Sequence, residues 1–373
     1  MQIACSQENL HTAIQMVQRA SSPRDTLPIL GAVLLEAQGG TLSLTATDLE
    51  LRIQASIPAE VEEEGSLALP ARDLADLVRF LPSGPLFLGS HGETPHAAVL
   101  SQGDSRWRIN GYPVEEFPEA LKLQGDTLEL PTAPFVASVR KGGAALARED
   151  TRGVFSGILV ESTGDGTLHV VSTDTHRLAY AWGTLGEELG QPFRILVPGK
   201  NLLEITRLLS GERFRLQVAE NWCRLVAGNL VVDCRLLEGQ FPAYQQVIPS
   251  RHQTRMQIAT KELAASIERA LVVGRQVDKS RITVVKLRLS GQLVSLDSSS
   301  PEKGEMHEEL PAKIEGEELE IAFNARYLLE GLQAIGAEEV TIDFTGSLGP
   351  AVIRPAQTEE ISCLYLVLPV RLS

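Results

Sequence analysis

The sequence predicts an α+β protein made of three repeated domains, each with two helices packed on antiparallel sheets. The segments LPARDL at 69–74, VPGKNL at 197–202 and FNARYL at 323–328 share one pattern, a short apolar strand end that leads into a helix. A closing turn also recurs, as EFPE at 116–119 and as QFPAY at 240–244. Motifs that recur in a fixed order indicate repeated structural units.

The length of the chain also favours several domains. A chain of 373 residues exceeds the usual size of a single hydrophobic core. Short polar connectors separate the repeats. We therefore expect three domains, which cover residues 1–122, 127–250 and 254–373.

Each repeat is expected to contain two amphipathic helices. In the first helix of the chain, Leu10, Ile14 and Val17 fall at helical spacing. The second begins after Pro70 and ends before Pro82, because proline is tolerated at a helix start and stops a helix at its end. The expected helices cover residues 9–19, 71–81, 133–146, 200–209, 261–273 and 325–335.

A β-hairpin is expected after the first helix of each repeat. Alternating apolar residues predict paired strands at 30–37 and 41–55, at 157–162 and 167–182, and at 283–289 and 293–298. With about eight strands in a repeat, the helices should cover one face of the sheets.

One stretch in the second repeat, STDTHRLA at 172–179, brings polar and cationic residues to the end of a strand. Such residues can be the solvated end of that strand. Alternatively, five of them form the polar lip of an apolar groove: Thr173, Thr175, His176, Arg177 and Leu178. The first repeat has the same Thr-Asp pair at 47–48 without a His-Arg pair. The Thr-Asp pair is thus repeated, whereas the His-Arg pair occurs only in the second repeat. This difference favours a groove at this place.

Catalytic and cofactor motifs do not occur in the sequence. It has no phosphate-binding glycine loop, dinucleotide fingerprint, nucleophile elbow or HExxH zinc motif. Ser172, Asp174 and His176 stand at alternate positions of a predicted strand, about 7 Å apart, which is too far for a triad. His91 and His96 lie in a loop without a third metal ligand. We therefore predict no catalytic residue, no metal and no cofactor.

The composition is that of an ordinary globular protein, with 43% hydrophobic residues and a mean hydropathy of -0.01. Its apolar runs fall short of the roughly 20 residues of a membrane helix, and the first residues do not resemble a signal peptide. The four cysteines are scattered, which predicts a reducing compartment. We expect a cytoplasmic protein without a membrane partner.

The formal charge of -14 argues against a polyanionic partner, because phosphate contacts require Lys and Arg. That charge is unevenly distributed, however. Windows around the six predicted helices sum to +6, so the rest of the chain carries -20. If the helices line one surface, that surface is locally positive within an acidic protein.

Five motifs in chain order carry a resemblance to a known family: RDTLPILG at 24–31, LSLTATDLE at 42–50, TDTHRLA at 173–179, FPAY at 241–244 and LPVRL at 368–372. Together they resemble the bacterial DNA polymerase III β subunit, the sliding clamp. The resemblance implies a head-to-tail homodimer that closes a six-domain ring, with helices around the hole and sheets outside. By the same resemblance, double-stranded DNA is expected to pass through the hole. Replicative polymerase, clamp loader and repair proteins are expected to bind through short peptides in a groove.

Three sets of site residues are expected on this basis. The DNA-binding set is Arg24, Lys141, Arg148 and Lys200. The dimer-interface set is Trp107, Ile109, Val272 and Val273. The groove set is Arg152, Phe155, Thr173, Thr175, His176, Arg177, Leu178, Pro242, Val247, Asn324, Tyr327, Leu366, Leu368, Pro369, Val370, Arg371 and Leu372. The alternative function is an enzyme that acts on a small anionic substrate through His176 and Arg177.

The sequence departs from the family pattern at several of these places. Gln246 stands where the family has an Arg, which should weaken any DNA or peptide contact at the lip of the groove. Gly153-Val154 stands where the family often has an aromatic pair that faces DNA, so that we expect this DNA contact to be weaker as well. Leu368 and Val370 replace methionines, which keeps the groove apolar but makes its wall stiffer.

Overall fold

The computed structural model describes most of the chain and forms two compact units. The described residues are 1–22, 27–90, 92, 96–147, 150–186, 188–274, 282–301, 303–358 and 360–371, with backbone alone at 150–152. One unit consists of residues 1–132 and 204–236, the other of residues 133–203 and 237–373. The middle repeat therefore contributes to both units.

The helices and strands follow the same order in each repeat, except that the described residues of the second repeat contain one short strand fewer. The first repeat contains β1 Gln2–Ser6, α1 Gln7–Val17, β2 Ala32–Gln38, β3 Thr41–Thr47, β4 Leu51–Pro58, β5 Glu60–Glu63, β6 Gly65–Pro70, α2 Ala71–Phe80, β7 Pro85–Ser90, β8 Ala97–Gln102 and β9 Ser105–Asn110. The second contains β10 Asp126–Pro131, α3 Thr132–Gly142, β11 Gly157–Ser162, β12 Thr167–Thr173, β13 Arg177–Thr184, β14 Phe193–Pro198, α4 Gly199–Leu208, β15 Arg213–Val218, β16 Trp222–Ala227 and β17 Leu230–Arg235. The third contains β18 Thr254–Ala259, α5 Thr260–Val273, β19 Val284–Ser290, β20 Leu293–Ser300, β21 Gly304–Pro311, β22 Lys313–Gly316, β23 Leu319–Asn324, α6 Ala325–Ile335, β24 Glu339–Phe344, β25 Ala351–Pro355 and β26 Ser362–Val367.

The predicted helices are present, and five of them end within about two residues of the expected positions. The exception is α3, which ends at Gly142 and not at residue 146. Glycine lowers helix propensity by about 1 kcal/mol relative to alanine, and here two glycines are adjacent. The backbone then turns away, and the Ala145 amide donates to Ser172 Oγ at 2.9 Å.

The prediction of single long strands at 41–55 and 167–182 was wrong. Each run is two strands joined by a tight turn, at residues 48–50 and 174–176. In both turns an aspartate side chain accepts hydrogen bonds from the two amides that begin the next strand: Asp48 from Glu50 and Leu51, and Asp174 from His176 and Arg177. The repeated Thr-Asp pair is therefore an Asx-turn signal.

The unit that begins with Met1 contains a sheet of five strands and a sheet of eight. The strand orders are β5-β1-β7-β8-β9 and β10-β15-β16-β17-β4-β3-β2-β6. The larger sheet joins two repeats, because β17 pairs antiparallel with β4 from Leu230 opposite Ala55 to Cys234 opposite Leu51. Helix α1 packs on β3 and β4 and against α2.

The other unit has the same plan. Its sheets have the orders β21-β20-β19-β23 and β14-β11-β12-β13-β26-β25-β24-β18-β22. The larger sheet again joins two repeats, here through the antiparallel pair of β13 with β26. Helix α6 packs on β25 and β26 of this sheet, where the ring of Tyr365 lies against Gly331 of α6, and α5 packs on β20 and β21 of the four-stranded sheet and against α6.

The four cysteines are buried thiols. Among the helices in the described residues, none is long and apolar enough to cross a membrane.

Candidate functional site

The turn at 174–176 presents the residues that the sequence singled out. Thr173 Oγ1 donates to the Arg177 carbonyl at 2.7 Å and accepts from the Thr175 amide at 3.3 Å. Thr175 adopts a left-handed φ of 76°. Its counterpart in the first repeat, Leu49, has a φ of 78°. These local bonds leave Thr175 and His176 exposed at the tip of the turn.

The Arg177 guanidinium is buried beside this turn, with 2% of the side chain exposed. Its Nε lies 3.0 Å from Asp174 Oδ2, and its Nη1 donates to Tyr365 Oη at 3.0 Å. Nη1 also forms an ion pair with Glu330 of α6. The guanidinium lies over the ring of Tyr327, 4.3 Å from its centre. These contacts tie the turn to α6 and β26.

The electrostatic effect of this network favours a charged Arg177. Burial alone would lower the pKa of Arg177, but Tyr365, Glu330 and Asp174 together raise it above its usual value. The sequence suggested that Arg177 offers a donor at the rim of a groove. The structure shows a different role, because the hydrogen-bonding groups of the guanidinium are directed into the protein.

An open cavity of about 230 Å³ lies next to the turn. We call it the groove; it is lined by Phe155, Thr173, Thr175, His176, Arg177, Leu178, Pro242, Tyr244, Val247, Leu366 and Leu368. Leu178 and Leu366 are directly opposite each other on β13 and β26 and are buried. Val247 and Leu368 are 56% and 41% exposed. Apolar surface that remains exposed in a concave site is typical of a binding site.

Ten residues of the predicted groove set line the groove: Phe155, Thr173, Thr175, His176, Arg177, Leu178, Pro242, Val247, Leu366 and Leu368. Two others have structural roles nearby: Tyr327 stacks under Arg177, and Asn324 caps α6 by accepting from the Arg326 amide at 3.0 Å. Pro369, Val370 and Arg371 follow Leu368 without lining the groove. Leu372 and the side chain of Arg152 lie outside the described residues.

The sequence analysis missed Tyr244 as a groove residue. Its hydroxyl donates to Glu161 Oε1 at 2.9 Å, and its ring lies 5.1 Å from the ring of Tyr180, centre to centre. The second FP turn of the chain, at 241–242, was the available signal. That turn places Tyr244 under the groove, where only 3% of it is exposed.

The geometry does not form a catalytic triad from Ser172, Asp174 and His176. The argument from strand spacing was wrong, because Asp174 and His176 belong to a turn. Ser172 Oγ instead donates to the Gly142 carbonyl at 2.7 Å and is buried. Asp174 uses its carboxylate on the turn amides and on Arg177. In the described part of the chain, no cluster of His, Cys, Asp or Glu is arranged to hold a metal ion.

The described members of the predicted DNA-binding and interface sets do not line the groove. Lys200 is exposed in the first turn of α4, whereas Lys141 is half-buried with Nζ 3.7 Å from Cys363 Sγ. Arg24 and Arg148 lie outside the described residues. Trp107 and Ile109 are half-buried on β9, and Val272 is 69% exposed beside Val273 at the end of α5.

The fold and the groove define a class of protein: a chain of repeated α+β domains that carries an apolar groove and has no assembled catalytic centre among its described residues. Comparison with known proteins assigns the family. Residues 1–122, 129–243 and 245–371 match the N-terminal, central and C-terminal domains of the DNA polymerase III beta subunit. The chain belongs to this family and is a DNA sliding clamp, a non-catalytic subunit.

Individual relatives agree over their whole lengths. The chain is 33% identical to the beta sliding clamp of Synechococcus elongatus and 31% identical to that of Escherichia coli K12, with complete coverage of each. The crystal structure of the Bacillus subtilis clamp matches with a TM-score of 0.92 at 28% identity and complete coverage of both chains. A Pseudomonas aeruginosa clamp bound to griselimycin also matches with a TM-score of 0.92, 28% identity and complete coverage. The alternative of an enzyme using His176 and Arg177 is not supported.

Removing the Arg177 side chain should destabilise the unit that contains it. Arg177→Ala removes the cation from the ion pairs with Asp174 and Glu330, and breaking a buried ion pair costs about 3–5 kcal/mol of unfolding free energy. Urea denaturation followed by the fluorescence of Trp182, in the same unit, measures this loss.

The matched control is His176→Ala, since His176 is the exposed neighbour of Arg177. It should change the unfolding free energy by less than about 0.5 kcal/mol. Equal stability of the two variants would contradict a structural role for the Arg177 network.

Proposed function

We propose that two copies of this chain associate head to tail into a closed ring around double-stranded DNA, and that the groove tethers polymerase and other DNA-processing proteins to it. The observation that carries this proposal is the pairing of equivalent strands at both joins between repeats. In each join, the strand after the Asx turn, β4 or β13, pairs with the last strand of the next repeat, β17 or β26.

Two strands of the same kinds remain at sheet edges. β21 is the third-repeat counterpart of β4 and β13, and it is the outer strand of its four-stranded sheet. β9 is the first-repeat counterpart of β17 and β26, and it is the outer strand of its five-stranded sheet. An edge strand presents unpaired amides and carbonyls, which favour pairing with another chain. Pairing β9 of one copy with β21 of a second copy repeats the two internal joins.

The internal joins also predict the register of this contact. Val232 lies opposite Ile53 in one join, and Tyr365 lies opposite Ala179 in the other. By their positions in the hairpins, the counterparts of these residues are Trp107 and Met306. Trp107 of one copy should therefore lie opposite Met306 of the second.

Charges agree with this register. One residue further along, Arg108 should lie opposite Glu305 of the second copy, and both are exposed in a single chain. The corresponding position of the first internal join also holds an acid–base pair, Asp233 opposite Arg52. The exposed Val272 lies on α5, which packs against β21, and adds apolar surface to this edge. A heterologous contact of this kind closes a ring when its rotation matches the symmetry.

The DNA contact we propose is diffuse and made by the helices. Exposed cations such as Lys200 can contact phosphates without reading bases, as a sliding ring requires. The rest of the chain carries the negative charge of the protein and repels DNA from other surfaces. A closed ring is retained topologically, so that weak contacts are sufficient.

The groove suits an extended peptide with apolar anchors. Leu178, Leu366 and Leu368 offer apolar walls, and Thr175 and His176 offer polar groups at the rim. We propose replicative polymerase, a clamp loader and repair proteins as the sources of such peptides. We also propose a cytoplasmic location and domains at residues 1–122, 127–250 and 254–373.

The ring contact can be tested by exchanging one charge pair. Arg108→Glu places two carboxylates opposite each other at both contacts of the ring. Since a cross-strand pair contributes about 0.2–1 kcal/mol, the change at two contacts should weaken the dimer about two- to thirtyfold. Adding Glu305→Arg should restore the wild-type dimer constant, measured by sedimentation equilibrium.

Trp107→Asp provides the second arm of this test. It buries a carboxylate against an apolar partner and should give monomers whether or not Glu305→Arg is present. A dimer that is insensitive to Arg108→Glu and to Trp107→Asp would contradict the pairing of β9 with β21.

The DNA contact can be tested by its salt dependence. Each phosphate contact contributes about 0.9 to the slope of log affinity against log salt. Replacing Arg24, Lys141, Arg148 and Lys200 by Ser should lower this slope by up to about 3.6. The slope is measured as the salt dependence of affinity for short linear duplex DNA. Retention of the loaded protein on nicked circular DNA, compared with linear DNA, tests whether the ring is held topologically.

The matched control replaces four strand cations by Ser: Arg194, Arg213, Arg215 and Arg288. That variant should retain the wild-type slope. If the replacement of Arg24, Lys141, Arg148 and Lys200 left the slope unchanged, these four residues would not face DNA. Equal retention on circular and linear DNA would contradict the ring itself.

The groove can be tested by truncation. Deleting residues 368–373 removes Leu368 and should abolish binding of a labelled peptide that carries Gln followed by Leu and Phe. For the full chain we expect a micromolar dissociation constant, measured by fluorescence anisotropy, which corresponds to a binding free energy of about -8 kcal/mol. The dimer constant should be unchanged, and equal peptide affinity of both proteins would contradict the groove assignment.

A further inference from the structure

A second cavity opens on the sheet face that carries the groove. It has a volume of about 270 Å³. We call it the basic pocket; its walls are Pro249, Ser250, Arg251, His252, Arg255, Asp343, Thr345, Val352 and Arg354. Three guanidinium groups and one imidazole thus line this pocket together with a single carboxylate, which is unusual in a chain with a formal charge of -14.

Asp343 organises the cations of the basic pocket. Its two oxygens accept from Arg255 Nε at 2.6 Å and Nη2 at 3.1 Å, and from Arg354 Nη1 at 2.9 Å. His252 Nδ1 lies 3.7 Å from the same carboxylate. Asp343 is 8% exposed, so that two guanidiniums are held in fixed positions by a buried group.

One carboxylate does not neutralise this cluster. Burial lowers the pKa of Arg354, Asp343 raises it, and the neighbouring positive charge of Arg255 lowers it further. A second acid among the described residues, Glu315, lies opposite Arg255 on β22 and is paired with Lys313 at 2.9 Å. The pKa of this carboxyl is lowered by Lys313 and also by Arg255 and His252, so that it offsets part of the positive charge. Arg251 is exposed and contributes a third guanidinium at the mouth of the pocket. The basic pocket therefore carries positive charge that an anion would balance.

A single row of cross-strand partners connects the groove with the basic pocket. Leu178 lies opposite Leu366, Leu366 opposite Val352, Val352 opposite Asp343, and Asp343 opposite Arg255. Residues directly opposite each other point to the same face of a sheet. The row begins with the apolar floor of the groove and ends with the cations of the basic pocket.

The segment 247–250 separates the two cavities. Val247 lines the groove, whereas Pro249 and Ser250 line the basic pocket. Leu366 and Asp343 are two strands apart, which corresponds to about 10 Å. An extended peptide covers that distance with about three residues, and a few more are needed to pass over residues 247–250.

We propose that the basic pocket binds one acidic side chain, Asp or Glu, of a peptide whose apolar anchors occupy the groove. The inference rests on the proposed peptide-binding function of the groove and adds a selectivity for acidic flanking sequence. Arg251 and Arg354 supply charge-assisted hydrogen bonds to the incoming carboxylate, and Asp343 keeps Arg255 and Arg354 oriented. A carboxylate fits better than a nucleic-acid strand, because the surrounding chain is acidic and would repel a polyanion.

The test is a set of labelled peptides with the groove motif and one Asp placed three to six residues from the apolar anchors, on either side. Each has a partner peptide with Asn at the same position. For wild type, one position should favour Asp over Asn by about three- to tenfold in dissociation constant. Arg251→Gln with Arg354→Gln should remove this preference and leave the affinity of the Asn peptide unchanged.

Further variants separate charge from folding. Arg251→Gln alone, at an exposed position, should lose part of the preference, while Arg251→Lys should keep most of it. Lys122→Gln removes an exposed cation elsewhere and should have no effect.

Each other outcome counts against the inference. Equal affinity of Asp and Asn peptides at every position, or a preference that survives the double substitution, overturns it. If wild type binds a short oligo-dT and the double variant does not, the pocket is a phosphate site and the carboxylate assignment is wrong. If no peptide binds wild type at all, the groove proposal fails and this inference fails with it.

Discussion

Edge strands are the constraint on which this architecture depends. A sheet that ends in an uncovered strand leaves a row of amides and carbonyls without partners. The chain meets this requirement twice in the same way, by pairing β4 with β17 and β13 with β26. Sheets of eight and nine strands result, and each contains strands of two repeats. Because the repeats are equivalent, the same rule leaves one strand of each kind at an edge, β9 and β21, and a second copy can supply the missing partner.

The groove shows how one substitution changes the use of a repeated turn. The Asx turns at Asp48 and Asp174 have the same side-chain-to-amide hydrogen bonds, and both have a left-handed residue directly after the aspartate. The residue that follows is Leu51 in the first repeat and Arg177 in the second, and both are buried. A buried guanidinium requires compensating charge, since desolvation of an unpaired ion is costly. Asp174, Glu330 and Tyr365 supply that compensation, and the network holds the wall of the groove in place.

Charge is organised locally in this acidic protein. The basic pocket concentrates Arg251, Arg255 and Arg354 around one buried aspartate. Its position in the same row of partners as Leu178 and Leu366 gives the binding face an apolar end and a cationic end. Such a surface can select a peptide both by its anchors and by its charge.

The sequence by itself determined the three repeats, the positions of the helices and the stretch at 172–179, because periodicity, prolines and recurring motifs act over a few residues. The Asx turns are also encoded locally, by the Thr-Asp pairs, but the alternating polarity across 167–182 predicted one continuous strand there. Tertiary structure decided the direction of the Arg177 guanidinium, since Glu330 and Tyr365 lie more than 150 residues away in the chain. It also decided the basic pocket, whose residues at 251–255 and 343–354 carry no common motif. Strand pairing places them side by side, and such pairing depends on the register of distant segments, which local pattern does not specify.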